Sequence, residues 1–195
     1  MTSSAPPGLA RFNAVDDRGA AAMLCEVCAS RAWGAAVAAG RPYATVGELL
    51  DAADAAMAGL TAADLAEAMA AHPPIGRPAP GDTASAREQS GVREAERAEL
   101  LELNLAYQER HGHVFLICAT GRTGEEMVAA LRERIHHDAD TERDIVRTEL
   151  GKINRIRLTR LTETLTETRA ESWAESWAET PETPEAPRAP AEGER

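Results

Sequence analysis

Arg157 stands on an apolar stripe. Val146, Leu150, Ile153 and Leu161 follow at spacings of four, three and eight, so they share one face of a helix, and Arg157 falls on that face. Burying a guanidinium without an anion is costly. The side chain therefore forms a structural ion pair, snorkels at the stripe's edge, or anchors a carboxylate or developing oxyanion that suits its planar fork. His72 has a similar position. It continues the stripe Leu65, Ala68, Met69 and then meets Pro73-Pro74. A histidine at a helix C-terminus can simply answer the helix dipole. Facing inward beside a Pro/Gly loop, it is also suited to proton transfer near neutrality. Ser85-Ala86-Arg87-Glu88-Gln89 puts a hydroxyl, a carboxylate and an amide at one helix start. Glu88 is explained by a capping box with Ser85, yet the same place offers free backbone N–H groups to a polar ligand.

Other candidates carry less. Cys25-Glu26-Val27-Cys28 has C-x-x-C spacing but no second cysteine pair to complete a zinc site, so both cysteines are expected as small residues of a helix core. His136 and His137 are adjacent and point in different directions, a poor metal pair. His111 and His113 flank a glycine helix stop and are expected at the surface. Gly121-Arg122-Thr123-Gly124 lacks the Lys-Ser/Thr ending of a phosphate loop. No dinucleotide fingerprint, Ser-His-Asp signature or H-E-x-x-H occurs, and no metal or organic cofactor is expected.

Helices must position these groups. The 195-residue chain is rich in alanine, with aromatics at only 4%, which favours helix over sheet. Asp16 or Asp17 caps a helix carrying Ala20, Met23, Leu24, Val27 and Cys28 on one side. A short segment follows at about residues 31–39 and stops at Gly40-Arg41-Pro42. Thr45 with Glu48, and Thr61 with Asp64, are capping boxes for two more helices. A Pro/Gly loop covers residues 75–84. A long helix then runs from about residue 92 to 111 and ends on Gly112. Thr123 with Glu126 starts the next, through about His136, and Thr141 with Asp144 starts the last. Val114 to Ala119 is the one strand-like run, and with no partner run it makes no sheet. The expectation is an all-α, single compact multi-helix domain over residues 8–161.

Residues 162–195 form an appendage with nine Glu against three Arg. It holds Trp173 and Trp177 one helical turn apart, suited to prolonging the last helix. Beyond Thr180, repeated proline and low hydrophobicity favour disorder. The net charge of −11, without a basic face, argues against nucleic acid. No apolar run approaches a membrane span and no signal peptide is evident. Three cysteines without a secretory signal fit a reducing cytoplasm.

Several segments together resemble the 2-oxo-4-hydroxy-4-carboxy-5-ureidoimidazoline (OHCU) decarboxylase family of urate degradation. They are Phe12-Asn13, His72-Pro73-Pro74-Ile75-Gly76, Ser85-Ala86-Arg87-Glu88-Gln89, Gly112-His113-Val114-Phe115-Leu116-Ile117-Cys118-Ala119, Gly124-Glu125-Glu126 and Ile156-Arg157-Leu158. The likeness spans about residues 11–161. It implies an all-α fold and cofactor-free decarboxylation of OHCU to (S)-allantoin. It also implies His72, Glu88 and Arg157 as catalytic groups, and Pro73, Ser85 and Gln89 as substrate-binding. Backbone contacts are implied at Ile117, Cys118, Ala119, Thr120 and Gly121. The expected partner is the small-molecule substrate, and the expected assembly a homodimer. A non-enzymatic helical interaction module, or a metal-dependent hydrolase, is the competing reading.

Overall fold

The computed structural model describes residues 6–72, 74–75 and 93–164. Among these residues there are eight helices and no strand: α1 (Pro7–Ala14), α2 (Asp17–Val27), α3 (Arg31–Ala39), α4 (Val46–Ala58), α5 (Ala62–Ala70), α6 (Glu94–His111), α7 (Gly124–Arg134) and α8 (Ala139–Thr164). The expected Pro/Gly loop, apart from Ile75, and the acidic tail beyond Thr164 lie outside the described residues.

Local chemistry sets most of the boundaries. Asp16 accepts the Gly19 N–H and starts α2. Thr61 and Asp64 form the full capping box of α5, and Thr123 and Glu126 that of α7. At α4 the expected box is half formed: Thr45 accepts the Glu48 N–H, but the Glu48 carboxylate takes the Ala44 N–H. Gly112 ends α6 at φ 77°, a left-handed conformation that suits glycine.

Three boundaries depart from the sequence reading. The Pro/Ser-rich start hides α1, whose Pro7 takes the N-terminal position where no N–H is needed. Helix α7 ends at Arg134, short of His136. Helix α8 begins before Thr141, because Asp138 accepts the N–H groups of Asp140 and Thr141 and so acts as the cap.

The buried apolar residues form two clusters. The larger joins α1 to α5 with α8, and its largest fully buried side chain is Trp33, whose indole N–H donates to the Ala53 carbonyl at 3.0 Å. Arginines close its edges against helix ends. Arg41 donates to the carbonyls of Phe12 (3.0 Å), Val15 (2.8 Å) and Ala38 (3.2 Å), and Arg147 to those of Met57 (2.9 Å) and Leu60 (3.0 Å). Asn13 and the Tyr43 backbone exchange two hydrogen bonds. At Gly8, α1 meets α8 so closely that a Cβ would lie 1.8 Å from the Thr162 carbonyl oxygen. The smaller cluster holds Leu100 and Tyr107 of α6, Met127, Val128 and Leu131 of α7, and Ile75.

The run from Phe115 to Ala119 separates the two clusters. Phe115, Ile117 and Ala119 enter the smaller one, while Leu116 and Cys118 enter the larger. That period of two belongs to extended chain. With no strand among the described residues to pair with, three of its backbone groups are held by side chains. Asn104 accepts the Phe115 N–H (3.1 Å), Arg134 donates to the Leu116 carbonyl (2.8 Å), and Glu149 accepts the Cys118 N–H (2.8 Å).

Candidate functional site

His72 and Arg157 border the same core. His72 follows the last turn of α5, half-buried, and its N–H donates to the Met69 carbonyl at 2.9 Å. Leu65, Ala68 and Met69 pack in the larger cluster, as their spacing requires. Arg157 is also half-buried, among Val146, Leu150, Ile153 and Leu161, all of which are buried. Its Nη1 donates to the Val27 carbonyl at 3.3 Å, at the C-terminal end of α2. Pro73, Ser85, Glu88 and Gln89 lie outside the described residues.

Beside Arg157, the Cys28 thiol faces the Asn154 amide. Burial pushes the Cys28 pKa up, opposed in turn by the Ser30 backbone, Asn154 and Arg157. Cys25 is raised as well, by burial and by the carboxylates of Glu26 and Glu67. Neither thiol is therefore activated as a nucleophile. Cys28 is buried as expected, but Cys25 is exposed: it lies on the outer side of α2 and does not join the core. The two line one cavity of about 390 Å³ with Ser30, Arg31, Gly34 and Glu67. Among the described residues no group of three His, Cys, Asp or Glu side chains is arranged to hold a metal.

Ile117, Cys118 and Ala119 are buried, and Thr120 and Gly121 are exposed. The chain turns there, with Gly121 at φ 80° and the Arg122 N–H donating to the Ala119 carbonyl at 3.0 Å. Cys118 gives its N–H to Glu149, whereas those of Ile117, Ala119, Thr120 and Gly121 donate to no described residue. Buried N–H groups without an acceptor are rare, so donors at Ile117 and Ala119 suit a ligand's oxygen.

The sequence reading missed the polar network behind this segment. Glu142 is fully buried and accepts from Arg134 (Nε at 3.0 Å) and the Tyr107 hydroxyl, with His137 Nδ1 at 3.2 Å from its other oxygen. Burial favours the neutral acid, but the bonds from Arg134 and Tyr107 outweigh it and hold the carboxyl below its ordinary range. Burial and the Glu142 charge push the Tyr107 hydroxyl well up. Arg134 also lies over the Phe115 ring, 4.5 Å from its centre. The signal was the α8 stripe itself, where Glu142 precedes Val146 by four and Glu149 follows it by three. His136 and His137 do diverge, one exposed and one turned to Glu142. His111 and His113, expected at the surface, are half-buried against Tyr107, with ring centres 4.5 and 5.5 Å away.

A family model for OHCU decarboxylase matches residues 13–159. An OHCU decarboxylase of Haloferax volcanii is 27% identical over 161 residues, covering 80% of this chain and 94% of that protein. The uric acid degradation bifunctional protein TTL of Arabidopsis thaliana is 38% identical over 108 residues, half of this chain. The match spans only 33% of that longer protein. A crystal structure of OHCU decarboxylase in the presence of (S)-allantoin superposes with TM-score 0.65 at 28% identity, covering 76% of this chain and 99% of that one. An (S)-allantoin synthase structure, 20% identical with TM-score 0.60, shares the fold. With a match across most of its helices, the chain belongs to the OHCU decarboxylase family.

Proposed function

We propose that this chain decarboxylates OHCU to (S)-allantoin, with His72, Glu88 and Arg157 as the catalytic groups. The carrying observation is the family match across residues 13–159, which holds both His72 and Arg157. The substrate bears a carboxylate and a hydroxyl on one ring carbon. Carbon dioxide leaves, and the electron pair enters the adjoining unsaturated ring system. That system takes a proton on one face while the hydroxyl gives up its own and becomes a carbonyl. Arg157 stabilises the developing charge, and the backbone N–H groups at Ile117 and Ala119 hold the oxygen that carries it, in the bound substrate as well as in the transition state. His72 delivers the proton, and Glu88 sets its protonation and orientation. Ser85, Gln89 and Pro73 hold the ureido and ring amide side. No step needs a metal or organic cofactor.

The finer parts of this reading concern setting and assembly. No described helix is long and apolar enough to cross a membrane. Three free cysteines support a reducing, cytoplasmic setting. A homodimer is supported by Leu101 and Leu105 of α6, one turn apart and 40% and 60% exposed, which a second copy would cover. Leu105→Glu in a sedimentation experiment tests that contact.

Freshly made OHCU given to the purified chain tests the reaction. The expected result is rapid appearance of optically active (S)-allantoin. Racemic allantoin at the uncatalysed rate overturns the reading.

A further inference from the structure

The extended run between the two clusters has two edges: buried charged side chains hold the middle of one, while on the other the described bonds come only from Asn104 and the Arg122 N–H at its two ends. Along such a chain, N–H groups alternate between the edges, and the N–H and carbonyl of one residue share an edge. The Leu116 carbonyl and the Cys118 N–H therefore lie on the same edge. Arg134 and Glu149 occupy it, both buried. Phe115, Ile117 and Ala119 present their N–H groups on the opposite edge. There Asn104 accepts the first, and the other two meet no described acceptor.

We propose that Glu149 and Arg134 are positioning residues of the decarboxylation site. They pin the inner edge of the run so that the N–H groups of Ile117 and Ala119 are aimed at the substrate. The inference rests on the proposed function above. Glu149 is itself oriented by Lys152, one turn along α8, and Arg134 by Glu142. Both pins are charge-assisted and buried, so they hold the backbone more firmly than neutral bonds would. They reach no substrate themselves. A backbone displaced by a fraction of a hydrogen-bond length loses its aim and holds the substrate less tightly at every stage of the reaction.

The test is the steady-state response of the full chain to OHCU, read with thermal unfolding. Glu149→Ala is expected to raise KM about 10-fold while kcat changes less than about 3-fold. Glu149→Gln keeps an oxygen acceptor for the Cys118 N–H and is expected to restore KM to within about 3-fold of wild type. A purely structural residue would lower the unfolding temperature and the active fraction but leave KM unchanged. If the alanine variant does not fold, Glu149→Asp carries the same test. It keeps the charge but withdraws the acceptor by one methylene, and a raised KM is again expected. An active wild type whose folded Glu149 variants keep the wild-type KM overturns the positioning role alone. A wild type without turnover overturns the proposed function, and this inference with it.

Discussion

The two apolar clusters bury different kinds of side chain, and the difference separates holding the fold from aiming the site. The larger cluster is mostly aliphatic and alanine-rich, with Trp33, Leu24, Leu49 and Leu65 fully buried, and most of its polar contacts are caps and arginine–carbonyl bonds at the margins, with the Trp33–Ala53 bond and Glu149 on the Cys118 N–H as the buried exceptions. The smaller cluster has fewer members, includes the Tyr107 ring, and packs beside the buried polar side chains Asn104, Arg134 and Glu142. Apolar burial is non-directional and tolerates small shifts, whereas hydrogen bonds fix direction as well as distance. A core that must orient one extended segment needs the second kind. His72 and Arg157 border the first cluster, and the backbone donors lie between the two.

The largest expected effect tests whether His72 belongs to chemistry or to packing. Replacing His72 by alanine should lower stereospecific turnover about 100- to 10,000-fold while the unfolding temperature stays close to wild type. Turnover and stereochemistry near wild type would move His72 to the structural side of the comparison.

Next come two truncations of similar thermodynamic size, one per region. Leu49→Ala should destabilise by about 2–5 kcal/mol with KM unchanged in the folded fraction. Glu142→Ala should destabilise by about 3–5 kcal/mol, because Arg134 is left buried without its carboxylate. It should also raise KM, since Arg134 is then free to release Leu116. Chemical denaturation paired with kinetics checks both. Equal KM responses would erase the distinction between the clusters.

Acid sharpens the contrast further. The folded-state pKa of Glu142 is lowered, so its stabilising contribution is complete above the ordinary glutamate pKa of about 4.3 and is lost as pH falls through the folded value. Thermal unfolding followed downward from about pH 5 should show a shallower acid limb in Glu142→Gln than in wild type. Leu49→Ala should shift the whole curve without changing that slope.

The smallest effect is expected outside both regions. A chain ending after Ala178 should match the full chain in turnover and helix content, because the Pro/Glu segment beyond it is too polar to support a core. Removing Trp173 and Trp177 as well should loosen α8 and, through it, Arg157. Inactivity of the chain ending after Ala178 would assign the acidic end a part in the site.

The sequence by itself determined the helical architecture and most of its punctuation. Capping residues act within one turn, so Asp16, Thr61 with Asp64, Thr123 with Glu126, and Gly112 are legible without knowing what the helices touch. Periodicity likewise marked the stripes of α5 and α8, and with them His72 and Arg157. Tertiary structure decided what local pattern cannot encode. Tyr107 meets Glu142 across 35 residues and Cys118 meets Glu149 across 31, so the stripe of α8 marks both carboxylates as inward-facing but not the groups they meet. The lone strand-like run became an organised edge because Asn104, Arg134 and Glu149, from three helices, supply the hydrogen bonds that a neighbouring strand would otherwise give. Backbone polar groups must be satisfied wherever they are buried, and only the assembled helices determine which side chains arrive to do it.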